Sequence, residues 1–161
     1  MATFSEHVSQ ARNNLSFLNS VNDKIVANWD WQVTICFYTA VHLVNAHIAK
    51  KANQHYRSHE LVNNALNPFS PLSTTKFTEE LYTSYIKLQN LSRRARYLCH
   101  DDPRNRDSKG FLTYDKHFSK SIIHLNNLLE FMSNEYSINF TSIEIECVEL
   151  KNRNLSYFSV K

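Results

Sequence analysis

Residues 91–102, Leu-Ser-Arg-Arg-Ala-Arg-Tyr-Leu-Cys-His-Asp-Asp, carry the side chains of this chain that are best suited to chemistry. Arg93, Arg94 and Arg96 precede His100 near the expected end of a long helix. A guanidinium can hold a phosphate through two parallel hydrogen bonds, and an imidazole can transfer a proton near neutral pH. The segment therefore has the groups needed to bind, and to cut, a phosphodiester without a metal ion. The alternative is a solvated helix end, because cations stabilise the negative end of the helix dipole.

Length and composition favour one helical domain. The chain has 161 residues, enough for a single domain with a buried core. It contains one glycine and three prolines, whereas sandwiches and barrels need many glycine and proline turns. The net charge of +3 permits a nucleic-acid partner without requiring one. No apolar run is as long as a membrane span and the first residues lack a signal-peptide pattern, so we expect a cytoplasmic protein without a membrane partner.

The cysteines support the same expectation. Cys36, Cys99 and Cys147 are odd in number and far apart, which fits reduced thiols better than a disulfide framework. We expect Cys36 and Cys99 to be buried and to pack as small apolar residues.

Hydrophobic periodicity predicts five helices followed by a tail. The second helix begins at Asn28, a suitable N-cap, and has the widest apolar face, which Trp31, Ile35 and Tyr38 extend. It should therefore be the most buried helix, and its face should contact the fourth helix. The predicted helices cover about residues 4–24, 28–51, 58–66, 73 or 74 to 99, and 114–134.

The last residues have a different pattern. Ile143-Glu-Ile-Glu-Cys147 alternates with period two, and Leu155-Ser-Tyr-Phe-Ser-Val160 follows after a polar stretch. This pattern predicts a small β-hairpin, or an extended tail, over residues 136–161. The predicted fold is therefore an all-α, up-and-down bundle of four or five helices over residues 1–135, with that tail appended.

Helical geometry separates the arginines of the fourth helix. At 100° per residue, Arg93, Arg96 and His100 fall together on one flank of the apolar seam, and Arg94 falls on the other. The first three are therefore predicted to converge on one ligand, with Arg94 remaining a surface charge. Other arginines follow in the next loop, and the predicted phosphate-binding set is Arg96, Arg104 and Arg106.

The second helix resembles a known family. Residues 31–42, Trp-Gln-Val-Thr-Ile-Cys-Phe-Tyr-Thr-Ala-Val-His, look like the aromatic-Tyr-x-Ala-x-His signature of HEPN-domain proteins, small helical bundles of prokaryotic defence and toxin–antitoxin systems. Arg57-Ser-His59 resembles the Ser/Thr-His that opens the next helix of those proteins, and residues 91–97 resemble their late arginine and aromatic segment. The resemblance covers about residues 4–132, and the order of elements matches as well.

The resemblance implies a homodimer that uses the bundle, the tail or both, and it leaves two functions open. The first is a non-catalytic interaction module that pairs with itself or with a protein encoded nearby, such as a nucleotidyltransferase-like protein. The second is a metal-independent endoribonuclease acting at the dimer cleft. In that case His100 moves a proton, Arg93 stabilises the charged transition state and Arg96 binds RNA phosphate.

The number of residues between the catalytic arginine and histidine of nuclease members helps to choose between these two functions. Nuclease members of the family carry an arginine, four to six residues, and then a histidine, a spacing that Arg93 and Arg94 both satisfy with His100. The helical-face argument selects Arg93 as the catalytic arginine. Such members usually have Asn, Asp or His directly after this arginine, whereas Arg94 stands there in this chain, and the departure favours the interaction module.

Other polar residues predict structural roles. His42 shares one side of the second helix with Tyr38, and we expect both, together with His59, to be packed polar groups. His55 and His59 have the spacing of a helical metal pair, but no Glu follows His55 as it does in a zincin. We therefore expect no metal and no cofactor.

Overall fold

In the computed structural model, which describes residues 1–25, 27–107 and 109–161, five helices precede two short strands. The helices are α1 (Phe4–Lys24), α2 (Trp29–Ala52), α3 (His59–Leu66), α4 (Glu79–Tyr97) and α5 (Asp115–Tyr136). The strands are β1 (Ile143–Ile145) and β2 (Phe158–Val160), and a 3-10 turn, Val148–Leu150, lies between them. The expected helical architecture is confirmed, and the bounds of α1 are those predicted.

The first helix begins at a capping box. The Thr3 hydroxyl accepts from the Glu6 amide at 3.3 Å, and the Thr3 amide donates to the Glu6 carboxylate at 2.7 Å. These two bonds provide acceptors for the Thr3 and Glu6 amides, which have no partner within the first helical turn.

The start and end of α4 differ from the prediction. The helix begins after Thr78, whose hydroxyl accepts from the Leu81 amide at 3.3 Å, and not at Ser73 or Thr74. The preceding backbone is used elsewhere, because the amides of Thr75 and Phe77 donate to the carbonyls at the end of α3. At the other end, Leu98 has a left-handed φ of 53° and stops the helix at Tyr97, two residues before the predicted end.

The centre of the bundle is α2, which packs against α1, α4 and α5. The rings of Phe37 and Tyr85 lie 6.0 Å apart between α2 and α4, and those of His47 and Phe77 lie 4.8 Å apart near the end of α2. The end of α2 therefore lies beside the start of α4, as in an up-and-down bundle. The predicted contact between the second and fourth helices is confirmed, as is the deep burial of α2.

Two aromatic residues of α2 are not buried as predicted. Trp31 is 64% exposed and Tyr38 is 41% exposed. Three neighbouring helices cover most of α2 but leave one narrow stripe open, and these residues lie on it, seven positions apart. Trp29, not Trp31, turns inward and stacks on Phe118 of α5, with ring centroids 5.6 Å apart.

The tail forms a parallel sheet, so the predicted hairpin is wrong. Ile143 pairs with Phe158 and Ile145 with Val160. Residues 146–157 make a long crossover that includes the 3-10 turn, and parallel strands need such a connection whereas a tight turn would give an antiparallel pair. Ile143, Ile145 and Phe158 are buried and extend the core of the bundle.

The thiols agree with the prediction in two respects. The three cysteines, Cys36, Cys99 and Cys147, are free, and Cys36 is buried. Burial raises the pKa of the Cys36 thiol well above its usual range. Cys99 is only half-buried, against expectation, because α4 ends before it.

Asn22 joins the tail to the bundle. Its side-chain nitrogen donates to Gln32 at 2.8 Å and to the Glu146 carbonyl at 3.2 Å, and its side-chain oxygen accepts from the Glu146 amide at 2.7 Å. Asn22 is fully buried, so these partners replace water completely.

Replacing Asn22 with Ala should therefore destabilise the protein. The substitution leaves both backbone groups of Glu146 without partners, and we expect the free energy of unfolding to fall by about 2–4 kcal/mol in urea denaturation. Asn13→Ala, an exposed substitution on the same helix, should change it by about 0.5 kcal/mol or less. Equal effects of the two substitutions would contradict this role for Asn22.

Candidate functional site around His100

Arg94 is buried, and the expectation of a surface charge is wrong. Its side chain is fixed by two hydrogen bonds, from Nε and Nη2 to the Leu112 carbonyl, at 3.0 and 2.8 Å. Its Nη1 lies 3.6 Å from an Asp101 carboxylate oxygen, and the guanidinium lies 5.4 Å from the Phe111 ring centroid. Only 8% of the residue is exposed. The flank that the helical-face argument left open is covered by Asp101, Phe111 and Leu112.

His100 lies outside α4, so the helical-face argument does not place it. Its Nδ1 accepts from the Asp102 amide at 2.9 Å, and the ring meets Phe111 edge-on with centroids 5.0 Å apart. Because Nδ1 accepts, a neutral His100 carries its hydrogen on Nε2. His100 is thereby fixed as an Nε2–H donor.

His100 lines a cavity of about 560 Å³ between α4, α5 and the loop after α4, which we call the α4–α5 cavity. Its walls are formed by Ile86, Lys87, Asn90, Leu91, His100, Asp101, Asp102, Pro103, Arg104, Lys120 and His124. The volume lies within the range of small-molecule sites, and the wall combines apolar, cationic and imidazole groups.

The α4 and α5 walls of this cavity each contribute one lysine, Lys87 and Lys120. Asp102 is paired with Arg104, at 3.1 and 3.2 Å, and this pairing lowers the pKa of the Asp102 carboxyl. Within the ranges that the structure describes, Lys87 and Lys120 have no carboxylate partner. Burial lowers the pKa of His124, and the charges of the two lysines lower it further. His124 contacts the Ser84 hydroxyl at 3.3 Å.

The predicted arginines do not all meet at His100. Arg104 lines the α4–α5 cavity, whereas Arg93 follows Asn90 by three residues and lies beside the cavity on the outer surface of α4. Arg96 lies towards α3, where it donates to the Ser92 carbonyl at 3.3 Å. Partial desolvation and then the charge of Arg96 lower the pKa of His59, which is exposed and so is not the packed polar group predicted. Arg106 is exposed in the loop.

The cavity residues that the sequence reasoning missed include Lys87, Lys120 and His124. Lys120 and His124 have the four-residue spacing that places two side chains on one side of a helix, so this signal was present. Their approach to Lys87 depends on how α4 packs against α5, which the sequence pattern does not give.

A second polar cluster joins α1, α2 and the segment before α3. His7 is buried, and its Nδ1 lies 3.1 Å from His42 Nδ1 while its Nε2 lies 2.9 Å from His55 Nδ1. His42 is thus hydrogen-bonded, as expected. His55 precedes α3, which begins at His59, so these two histidines do not form a pair on one helix.

The three imidazoles form a chain and not a cage. His7 turns different ring nitrogens towards its two neighbours, whereas a metal takes one nitrogen from each imidazole at a common point. Among residues 1–25, 27–107 and 109–161, no group of three or more His, Cys, Asp or Glu side chains could hold a metal ion.

Comparison of the chain with protein-family models, curated proteins and solved structures gives no match. In the described part of the chain, no helix combines the length and the apolar character needed to cross a membrane. The assignment of function therefore depends on the geometry of the chain's own residues.

Buried histidines should make stability depend on pH. Burial lowers the pKa of His7, His47 and His117 to about 4. In the unfolded chain a histidine titrates near pH 6.5, so between these values the unfolded state binds more protons than the folded state. The free energy of unfolding should therefore be fully developed above about pH 6.5 and fall as the pH is lowered towards 4.

Urea denaturation between pH 5 and 6.5, above the range in which most carboxylates titrate, measures this effect. His7→Gln removes one of the three groups and should give a shallower slope than the wild type. A free energy of unfolding that stays constant over this range would contradict the account.

Proposed function

We propose that the protein is a HEPN-like interaction module that forms a homodimer and acts in a prokaryotic defence or toxin–antitoxin system. The signature-like segment of residues 31–42 and the order of the helices support this proposal. A protein encoded nearby, such as a nucleotidyltransferase-like protein, is the further partner that the resemblance suggests.

The observation that carries the proposal is a set of exposed aromatic and half-buried arginine side chains on α2 and α4. We call it the aromatic face and define it by Trp31, Tyr38, Arg93, Arg96 and Tyr97. Tyr97 is 67% exposed, and the Arg96 guanidinium lies 5.0 Å from its ring centroid. Trp, Tyr and Arg are the residues most enriched at the centres of protein interfaces.

The two helices meet on this side of the bundle through a shared neighbour. His59, at the start of α3, contacts Phe37 of α2, with ring centroids 5.3 Å apart. The charge of Arg96 on α4 acts on the same imidazole. Phe37 also contacts Tyr38, with ring centroids 5.7 Å apart, so Tyr38 of α2 and Arg96 of α4 both lie near His59.

A twofold axis through the aromatic face would suit self-association. The same residues of two copies would then oppose each other, because the interface of a symmetric dimer uses one patch twice. Arginines of one protomer would pack on the aromatic rings of its partner through cation–π contacts, which strengthen when water is excluded.

Replacing Trp31 with Glu should convert the dimer to a monomer. The substitution places a carboxylate where a large aromatic ring would be buried between protomers, and truncation of such central residues removes much of the binding energy. Sedimentation velocity at high micromolar concentration measures the result.

Phe69→Glu is the matched control, because Phe69 is equally exposed but lies in the loop after α3, at the end of the bundle where α4 begins. It should leave the dimer intact. A monomeric wild type, or dissociation by both substitutions alike, would contradict the proposed interface.

Metal-independent RNA cleavage is a second candidate function, and the position of His100 favours it. A 2′-hydroxyl would attack the adjacent phosphorus while losing its proton to water, and the P–O5′ bond would break. His100, in its imidazolium form, would donate its Nε2 proton to the leaving 5′-oxygen. Arg93 lies next to the α4–α5 cavity and would stabilise the charged transition state, with RNA phosphates bound by Arg96, Arg104 and Arg106.

A metal-free cleavage assay on single-stranded RNA tests this candidate. Arg93→Ala and His100→Ala should each abolish cleavage, and Arg96→Ala should weaken RNA binding in a salt-dependent way, as the loss of a phosphate contact does. Arg153→Ala, a substitution in the exposed tail, should leave both properties unchanged. Arg94 cannot serve as the control, because it is buried and hydrogen-bonded. An inactive wild type would remove this candidate and leave the interaction module.

A further inference from the structure

Lys87, Lys120 and His124 bring three groups that can carry positive charge to one part of the α4–α5 cavity. Lys120 and His124 are one turn apart on α5, and Lys87 approaches from α4. The pKa of His124 is lowered, first by burial and then by the charges of Lys87 and Lys120, so both lysines lie close enough to act on this imidazole. Like charges gathered in this way repel each other, and a bound anion relieves the repulsion.

The carboxylates of the same cavity do not supply that anion. Asp102 is held by Arg104 through two contacts of 3.1 and 3.2 Å. Asp101 lies 3.6 Å from the Arg94 guanidinium. Both negative charges are thus directed to other cations, and the positive potential beside Lys87 and Lys120 remains.

The orientation of His124 suits an anion as well. Asn127 donates its side-chain N–H to the Ser84 oxygen at 3.2 Å, and the Ser84 hydroxyl lies 3.3 Å from His124 Nδ1. The Ser84 hydroxyl hydrogen can then be donated to Nδ1, which leaves the imidazole hydrogen on Nε2. In this arrangement His124 is a donor towards a ligand.

We propose that the α4–α5 cavity binds a small phosphomonoester, with the phosphate held by Lys87, Lys120 and His124. A phosphomonoester carries a charge of about −1.5 to −2 at pH 7, which matches two lysines. The cavity of about 560 Å³ accommodates the rest of a small metabolite. Ile86 and Leu91 would contact its carbon skeleton, and the Asn90 amide could bind its hydroxyl groups.

A phosphomonoester fits this site better than a nucleic-acid strand does. Each phosphodiester of a strand carries a single charge, and proteins that bind strands align their cations along an extended groove. Here the two lysines without a carboxylate partner, Lys87 and Lys120, line one cavity and both act on His124. The site uses none of the residues of the aromatic face, so the proposal does not depend on dimer formation.

Calorimetric titration of the full chain at pH 7 and low ionic strength tests the proposal with two probes, inorganic phosphate and ribose 5-phosphate. The wild type should bind both. Lys87→Gln and Lys120→Gln should each weaken ribose 5-phosphate binding by about tenfold or more, because each removes a charge-assisted hydrogen bond. Lys116→Gln is the control, since Lys116 lies one turn before Lys120 on α5 but outside the cavity, and it should change affinity by less than about twofold.

Three results would overturn the proposal. The first is that the wild type fails to bind ribose 5-phosphate, whether or not it binds inorganic phosphate. The second is that Lys116→Gln weakens binding as much as Lys120→Gln. The third is that a short oligouridylate binds more tightly than ribose 5-phosphate and loses its affinity in Lys120→Gln, which would assign the site to a phosphodiester strand. Thermal unfolding of each variant verifies that these exposed substitutions leave the fold intact.

Discussion

The buried guanidinium of Arg94 constrains the end of the bundle at which the candidate site lies. A charge removed from water must be paired and hydrogen-bonded, because an unpaired buried charge costs several kcal/mol. Here the Leu112 carbonyl accepts two of its hydrogen bonds, Asp101 provides the opposite charge and Phe111 covers the guanidinium. All three partners belong to the segment between α4 and α5. The requirement to satisfy Arg94 therefore fixes that segment against α4.

The position of this segment determines what the neighbouring residues can do. The Phe111 amide donates to the Leu98 carbonyl at 2.7 Å, so the segment closes on itself just after α4. His100 and Asp102 lie inside this closed stretch and form the loop wall of the α4–α5 cavity. Lys87 and Lys120 come from the two helices that the segment connects. The cavity thus depends on a charge that is itself hidden from any ligand.

The sequence was sufficient where short-range patterns determine the structure and insufficient where distant partners do. Apolar spacing predicts α1 correctly, because this periodicity acts within one helix. The same spacing assigned Trp31 to the core, since periodicity identifies an apolar side chain without revealing whether another helix covers it.

Arg94 was placed on the surface because its partners lie many residues later. The two tail strands were identified, but their parallel pairing depends on the path of the crossover. His100 was selected as a site residue, whereas the grouping of Lys87 with Lys120 requires the packing of α4 on α5.

Hydrogen exchange of the Phe111 and Asp102 amides in Arg94→Lys most directly tests the central claim, that Arg94 holds the segment in place. Lysine keeps the charge but lacks the planar guanidinium that donates from both Nε and Nη2 to the Leu112 carbonyl oxygen. The account predicts that both amides lose protection in Arg94→Lys, while Arg93→Lys retains the protection of the wild type. Wild-type protection of both amides in Arg94→Lys would contradict it.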